Sequence, residues 1–262
     1  MMQRLKRRVP SIALILGLFV TWEVACIVFD VAQFVLPRPS EIIAVIWDRA
    51  PAIWPHAERT LFTTLVGFGI GVTLGVVTGV LIGSSRLADA TAYPLRIGIS
   101  SIPMIAMVPI FVLWCGYGIV PAILTAVILC VFPIIVNVAM GIATVEPELE
   151  DVMRTLKASK FDILWNVSLP RSMPYFFASL KVAITLAFVG SVVAETVASN
   201  RGIGNMMMIA TSSFNVPLVF AGLIILAVMG VTLYATFALI EARALHWATR
   251  KQTGGGTCPS RS

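Results

Sequence analysis

The sequence predicts an all-α integral membrane protein of six transmembrane helices, and two observations carry that expectation. Of its 262 residues 58% are hydrophobic and only 12% are charged, and the mean hydropathy of +0.93 is far above that of soluble domains. Crossing roughly 30 Å of hydrocarbon takes about 20 apolar residues. Uncharged or nearly uncharged runs of that kind occur at 11–29, 61–83, 97–115, 119–140, 176–198 and 217–240.

Residues 1–10 form a basic segment, with Arg4, Lys6, Arg7 and Arg8 ahead of the first run. A signal peptide is the competing reading, but the run is longer than a usual h-region and no small-x-small site closes it cleanly. Basic residues then set the orientation, because Lys and Arg in short flanking segments stay on the cytoplasmic side. The N-terminus, Arg86 and Arg96, the group Arg154, Lys157, Lys160, Arg171 and Lys181, and Arg243, Arg250, Lys251 and Arg261 all fall on one side of the six spans. The other side receives Arg38, Arg49, Arg59 and Arg201, the first three diluted by Asp30, Glu41, Asp48 and Glu58. Both termini are therefore expected in the cytoplasm, and the net charge of +6 is a topology signal. Without a clustered basic face and interleaved aromatics it does not indicate nucleic acid.

The second span reads TLFTTLVGFGIGVTLGVVTGVLIG, which spaces Gly67, Gly71, Gly75, Gly79 and Gly83 four residues apart. Such a row makes a smooth ridge that a second helix can approach closely. Spans three and four carry Pro103, Pro109, Pro121 and Pro133. Each removes a backbone donor, and in lipid the freed carbonyls need protein or water as partners. Pro103 and Pro109 are accordingly candidate residues of a translocation path, alongside their ordinary structural role. Charges inside spans are costly. Glu23 and Lys181 stand near span ends and read as snorkelling side chains, whereas Glu195, followed by Gly202-Ile203-Gly204, reads either as a tether of the outer turn or as part of a gate. Cys26, Cys115 and Cys130 lie in or at the ends of spans and Cys258 in the tail, with no paired spacing, so neither a disulfide framework nor a metal site is indicated. Residues 247–262 are Gly- and Ser-rich and are expected to be a disordered cytoplasmic tail.

No G-x-x-x-x-G-K-[ST] is present, so an energy source of that type has to come from a partner chain. His56 and His246 are the two histidines, in different flanking segments, and no H-E-x-x-H or G-x-S-x-G occurs. An intramembrane hydrolase has little to work with.

One stretch, ELEDVMRTLKASKFDILWNVSLP at 148–170, interrupts the apolar pattern. Leu149, Val152, Met153 and Leu156 follow i, i+3, i+4, i+7 spacing and make one apolar stripe. Pro147 suits a first helical position, and Glu148, Glu150 and Asp151 suit the positive end of the helix dipole. A second short helix is expected to start at Ser159, capped with Asp162, to carry Phe161, Leu164, Trp165 and Ser168, and to stop at Leu169-Pro170. Amphipathic helices of this length lie in a membrane surface or present a face to another protein.

This stretch resembles the cytoplasmic EAA motif of permease subunits of binding-protein-dependent ABC importers. Glu150, Leu169 and Pro170 fit that pattern, whereas Asp151 and Val152 stand where the motif has Ala and Lys157 where it has Gly. A Gly would permit a left-handed turn, and a Lys in that conformation costs about 1 kcal/mol. Similarity to the nitrate/sulfonate/taurine branch extends over residues 10 to 250: Leu36-Pro37-Arg38-Pro39-Ser40, Arg59-Thr60 through Gly67-Phe68, Ile102-Pro103 with Pro109, Gly116-x-Gly118, and Ala194-Glu195 with Gly202-Ile203-Gly204.

The resemblance implies a type I ABC importer permease fold in the bacterial inner membrane, working as a homodimer. Two copies of a separate ATPase subunit would consume ATP, and an external binding protein would deliver the solute. The chain itself would be no enzyme and would bind no cofactor or metal. The helices at 147–169 would couple it to the ATPase through Leu149, Glu150, Val152, Met153, Arg154, Leu156, Lys157, Phe161, Leu169 and Pro170, and Glu195, Gly202 and Gly204 would stand at the path or its gate. The branch handles nitrate, sulfonates and taurine, and close relatives handle thiamine-precursor pyrimidines, riboflavin or aromatic acids. Arg59 and Arg96 read as flanking charges, not as an anion cage. Readings of another class, an ion-gradient-driven secondary transporter or a membrane enzyme, have no motif here.

Overall fold

The structure, a computed structural model, describes residues 2–84, 104–144, 152–153 and 155–244. Among them the chain is helical and contains no strand. In order these are α1 (Met2–Val28), α2 (Pro39–Asp48), α3 (Ala50–Gly83), a 3-10 turn (Met104–Met107) leading into α4 (Val108–Cys115), α5 (Ile119–Ala143), α6 (Lys160–Ile163), a π turn (Leu164–Ser168), α7 (Leu169–Ala198), α8 (Ile203–Ser212) and α9 (Val216–Ala244). Four continuous helices, Ala50–Gly83, Ile119–Ala143, Phe161–Ala198 and Val216–Ala244, are long and apolar enough to cross a membrane. Leu16–Val28 and Ile105–Cys115 are shorter apolar helices at the places of the first and third expected spans, and residues 97–103 of the latter lie outside the described residues.

The centre of the bundle is α3, α5 and α7. Gly67, Gly71, Gly75, Gly79 and Gly83 lie against Ala126, Cys130, Ile134, Val138 and Ile142 of α5. Both numbers rise together, so α3 and α5 run parallel, and the last residue of α3 and the first of α5 lie at opposite ends of the pair. A Cβ built on Gly75 or Gly79 would stand 2.8 Å from the Cβ of Ile134 or Val138, and one on Gly71 would overlap the Cys130 sulfur. Within lipid, packing of this closeness is what drives helices together, because the tails are as apolar as the side chains. Antiparallel to α5 runs α7, with Gly141 against Ser172 at one end and Gly190 against Leu129 and the Thr125 carbonyl at the other. The shared core is Phe68, Ala126, Cys130, Ile134, Val138, Ile142, Leu180, Ala183, Ile184 and Ala187, closed on the outside by Leu233 and Phe237 of α9. Phe237 meets Phe68 edge-on, with centroids 4.9 Å apart.

Two charges expected to snorkel are engaged instead. The Glu23 carboxylate on α1 accepts the Ser40 N–H at 3.0 Å and the Ser40 hydroxyl at 2.7 Å, so it caps the N-terminus of α2. Lys181 of α7 pairs with Glu241 of α9 at 2.5 Å. That bond ties α9 to the bundle near its C-terminal end, where a carboxylate alone would oppose the helix dipole.

The expected stop at Leu169-Pro170 does not occur. Pro170 lies in the turn that follows the π segment of one continuous helix, and its missing N–H leaves the Asn166 carbonyl without its α-helical partner. The chain enters that turn through the π turn, in which the Leu169 N–H reaches the Leu164 carbonyl five residues back. The fifth long helix therefore starts well before residue 176.

Gly75→Ala should lower stability by about 1–3 kcal/mol, the usual cost of overpacking. Gly69 faces open space, with nothing within 4 Å of an added Cβ, so Gly69→Ala should leave thermal unfolding in detergent unchanged and separates packing from helix propensity.

Candidate functional site

Two groups of residues carry the functional expectations, and they stand at opposite ends of α7. At about 1.5 Å per residue, Leu169 and Glu195 are about 39 Å apart along it.

The first group is the interruption before α7. Leu149, Glu150 and Arg154 lie outside the described residues; Val152, Met153 and the chain from Thr155 onward lie within them. Here the helix ends as Leu156 N–H bonds to the Val152 carbonyl at 3.2 Å and Ala158 N–H to the Met153 carbonyl at 3.0 Å. Lys157 adopts φ 61°. A six-to-one bond closed over a left-handed residue is a Schellman ending, and the Lys occupies the position that usually takes Gly. Immediately after it the Asp162 carboxylate accepts the Ser159 hydroxyl at 2.6 Å and the Ser159 N–H at 3.0 Å, while the Asp162 N–H donates to the Ser159 hydroxyl at 3.2 Å. These reciprocal bonds start the next helix.

Between those two ends the apolar side chains face outward. Val152, Leu156 and Phe161 are 56%, 73% and 69% exposed, and Trp165 is 61% exposed. The Phe161 and Trp165 rings stack with centroids 6.2 Å apart and an interplanar angle of 11°. Met153 and Leu169 are half-buried and Pro170 is exposed. Trp165 did not enter the expected coupling set, although its i+4 spacing from Phe161 was available to place it there.

The second group surrounds Glu195, which has no exposed surface. Its carboxylate accepts the Thr60 hydroxyl at 2.7 Å, the Thr63 hydroxyl at 3.1 Å and the Gly204 N–H at 3.4 Å. One turn further along, Thr64 and Ser191 share a hydroxyl bond of 2.6 Å. The Thr60 oxygen in turn accepts the Ile203 N–H at 2.9 Å, and His56 Nδ1 faces both the carbonyl and the N–H of Gly202, at 3.0 and 3.2 Å. One tautomer of His56 serves the carbonyl and the other serves the N–H. Gly202 has φ 122°, and a Cβ there would run into the Glu195 carboxylate, so this position requires Gly for two reasons. Glu195, Gly202 and Gly204 are thus brought together, with the unforeseen addition of His56, Thr60 and Thr63. Their polar stripe at i, i+4, i+7 on an apolar helix is the signal that could have found them.

Pro109 is not part of this knot. It sits exposed in the first turn of α4, next to Val108, which packs on Ala122, Ala194 and Ala198. Pro103 lies outside the described residues. Among the described residues no group of His, Cys, Asp and Glu is arranged to hold a metal ion. The Glu195 knot is a set of satisfied hydrogen bonds closed to solutes, and its effect is to fasten α3, α7 and α8 to one another.

The model of the binding-protein-dependent transport system inner membrane component family matches residues 71–246. The chain belongs to this family. It is 30% identical over 237 residues, 90% of this chain and 94% of the relative, to the formylaminopyrimidine transport permease protein ThiX of Halalkalibacterium halodurans. It is also 30% identical over 228 residues, 86% of this chain and 83% of the relative, to the putative aliphatic sulfonates transport permease protein SsuC of Bacillus subtilis. Identity to the taurine transport system permease protein TauC of Escherichia coli is 24% over 259 residues, 94% of each chain. Among solved structures the chain resembles an inward-facing conformation of the MetNI methionine ABC transporter, with a TM-score of 0.62 at 20% identity over 77% of this chain and 98% of that one. This permease is therefore a transport component of an ABC importer and not an enzyme, with the fold of such permeases.

In this permease Glu195→Ala should leave the buried Gly204 N–H of α8 without its acceptor, at about 1–3 kcal/mol, while the Thr60 and Thr63 hydroxyls keep only carbonyls of their own helix. Thermal unfolding in detergent should show the loss, and Glu195→Gln, which keeps one acceptor oxygen, should recover part of it.

Proposed function

We propose that this permease spans the bacterial inner membrane six times with both termini in the cytoplasm, and that a homodimer of it forms the solute path. Two copies of a separate ATPase subunit dock on the cytoplasmic side, and an external binding protein delivers the solute. The parallel course of α3 and α5 supports the third crossing, since the connection between them has to return through the full thickness. Leu16–Val28 supplies the apolar length for the first.

The observation that carries the coupling role is the outward patch of Val152, Leu156, Phe161 and Trp165 on the stem of α7. In water such a patch exposes apolar area that a partner groove would bury, and aromatic residues are enriched in the anchors of interfaces. ATP, bound and hydrolysed by the partner, draws the two ATPase subunits together. The segment at 147–169, which in sequence also holds Leu149, Glu150, Met153, Arg154, Lys157 and Leu169 and is followed by Pro170, moves with them, and the two permease halves rock between inward- and outward-open states. The charged residues of the segment set register more than affinity. At the far end, Glu195, Gly202 and Gly204 hold the outer turn so that α8 moves with α7 and α3 as one gate element, with Pro103 and Pro109 near the path.

The solute is a small organic or inorganic molecule of the nitrate, sulfonate or taurine kind. The 30% identity to a formylaminopyrimidine permease supports a thiamine-precursor pyrimidine as the second reading, with riboflavin or aromatic acids behind it. The binding protein makes the selection, so a ligand screen on that protein decides among them.

Leu156→Asp and Glu150→Lys should each leave the permease inserted and dimeric while ATP-driven uptake in proteoliposomes falls by about tenfold or more, the effect of removing an interface anchor. Unchanged uptake in both would overturn the coupling role. Uptake that collapses with an uncoupler yet survives ATP depletion would instead identify an ion-gradient-driven transporter.

A further inference from the structure

We propose that Trp165 is itself a docking residue for the ATPase subunit, and that the π turn at Leu164–Ser168 is the device that aims it. This rests on the docking reading of the outward patch given above.

The helix from Lys160 to Ala198 is continuous, and its core-facing positions can be followed along it. Ser168, Ser172, Ser179, Ala183, Ala187 and Ser191 are buried, as is Ile163. From Ser168 to Ser172 and on to Ser179 the steps are four and seven residues, which keep one face of an α-helix. From Ile163 to Ser168 the step is five. In an unbroken α-helix, at about 100° per residue, those two side chains would diverge by about 140°. The π turn absorbs one extra residue, and both remain in the core.

The same extra residue decides where the rings point. Trp165 stands seven positions and Phe161 eleven positions before Ser172. On unbroken α-helical geometry both would lie within about 20° of the Ser172 direction, and Ser172 is 5% exposed. The rings would then be directed at the face that packs into the bundle. They are instead 61% and 69% exposed and stacked on each other, because one residue inserted into the turn rotates everything before it by about 100° relative to α7. Local chemistry favours the wider turn: Pro170 has no N–H to return to the Asn166 carbonyl four residues back, and the five-residue bond from Leu169 to Leu164 takes over.

Trp165 presents a large flat apolar surface with one N–H donor at its edge, the chemistry of an interface anchor. Its occupant is an apolar groove on the ATPase subunit, contiguous with the groove that receives Leu156 and Phe161. Because the ring sits on the stem that becomes α7, a push on it acts on that helix directly, whereas Leu156 acts across the turn at Lys157.

The test uses the permease with its ATPase subunit, measuring the affinity of the pair in detergent and ATP-driven uptake in proteoliposomes. Trp165→Ala should weaken ATPase binding about thirtyfold, as loss of a Trp anchor does, and lower uptake in step. Deletion of Asn166 removes the residue that the π turn absorbs, so the stem returns to α geometry with Trp165 six steps before Ser172 and the ring in its former direction; a folded deletion variant should therefore keep the wild-type affinity. The exchange Leu164→Trp with Trp165→Leu in the full-length chain turns the ring by one position, about 100°, at constant length, and should match Trp165→Ala, which a merely structural role would not require. Where the deletion fails to fold, the full-length exchange decides. Wild-type affinity in the exchange, or a loss like that of Trp165→Ala in a folded deletion variant, would overturn the aiming role. Wild-type affinity in Trp165→Ala, with Leu156→Asp still uncoupled, would overturn the Trp165 assignment and leave the docking reading standing.

Discussion

Between α3 and α5 the two backbones meet with almost nothing in between. Five glycines on one helix receive Ala126, Cys130, Ile134, Val138 and Ile142 of the other, and this close approach sets the geometry of everything else. It fixes α3 and α5 as a parallel pair, with the end of one and the start of the other at opposite ends. It also leaves a groove in which α7 lies antiparallel, with small side chains such as Ala183 and Ala187 facing the seam. No hydrophobic effect separates helix from lipid inside the bilayer, so shape and dispersion have to supply the association. A side chain at any of those glycines would push the two helices apart and dissolve the groove.

Onto that scaffold α7 is fastened differently at its two ends. At the Glu195 end a buried carboxylate collects hydroxyls and an N–H from α3 and α8, a network in a low-dielectric setting where each bond is strong and each vacancy costly. Midway along α7 the Lys181–Glu241 pair reaches α9, and at the other end the π turn and the Ser159–Asp162 box lead the chain out to an aromatic surface. A helix about 45 Å long held rigidly at its far end is suited to carrying displacement, not to absorbing it.

Features with a short period were legible in the sequence. The four-residue glycine spacing and the Ser159–Asp162 pair depend on neighbours within one turn, and so does the strain at Lys157, where the structure has φ 61°. The long apolar helices and the family pattern were legible for the same reason. What escaped was set by partners far away in the chain. Glu23 and Ser40 are 17 residues apart, His56 and Gly202 are 146 apart, and Lys181 finds Glu241 on another helix; from sequence alone each is a charge or a ring near the end of a span. Pro170 was misread because a wider turn can carry a helix past a proline, and that turn left no periodic mark except the five-residue step from Ile163 to Ser168.

The parallel arrangement of α3 and α5 also bears on how the chain is made. When α3 leaves the ribosome its packing partner has not been synthesised, and the acceptor of its hydroxyls at Glu195 follows 135 residues after Thr60. In the meantime Thr60 and Thr63 can donate to the carbonyls of His56 and Arg59 on their own helix, at 3.1 and 3.2 Å. The nascent helix can therefore rest in lipid with these two hydroxyls satisfied internally, and share those bonds with the carboxylate once α7 has been inserted.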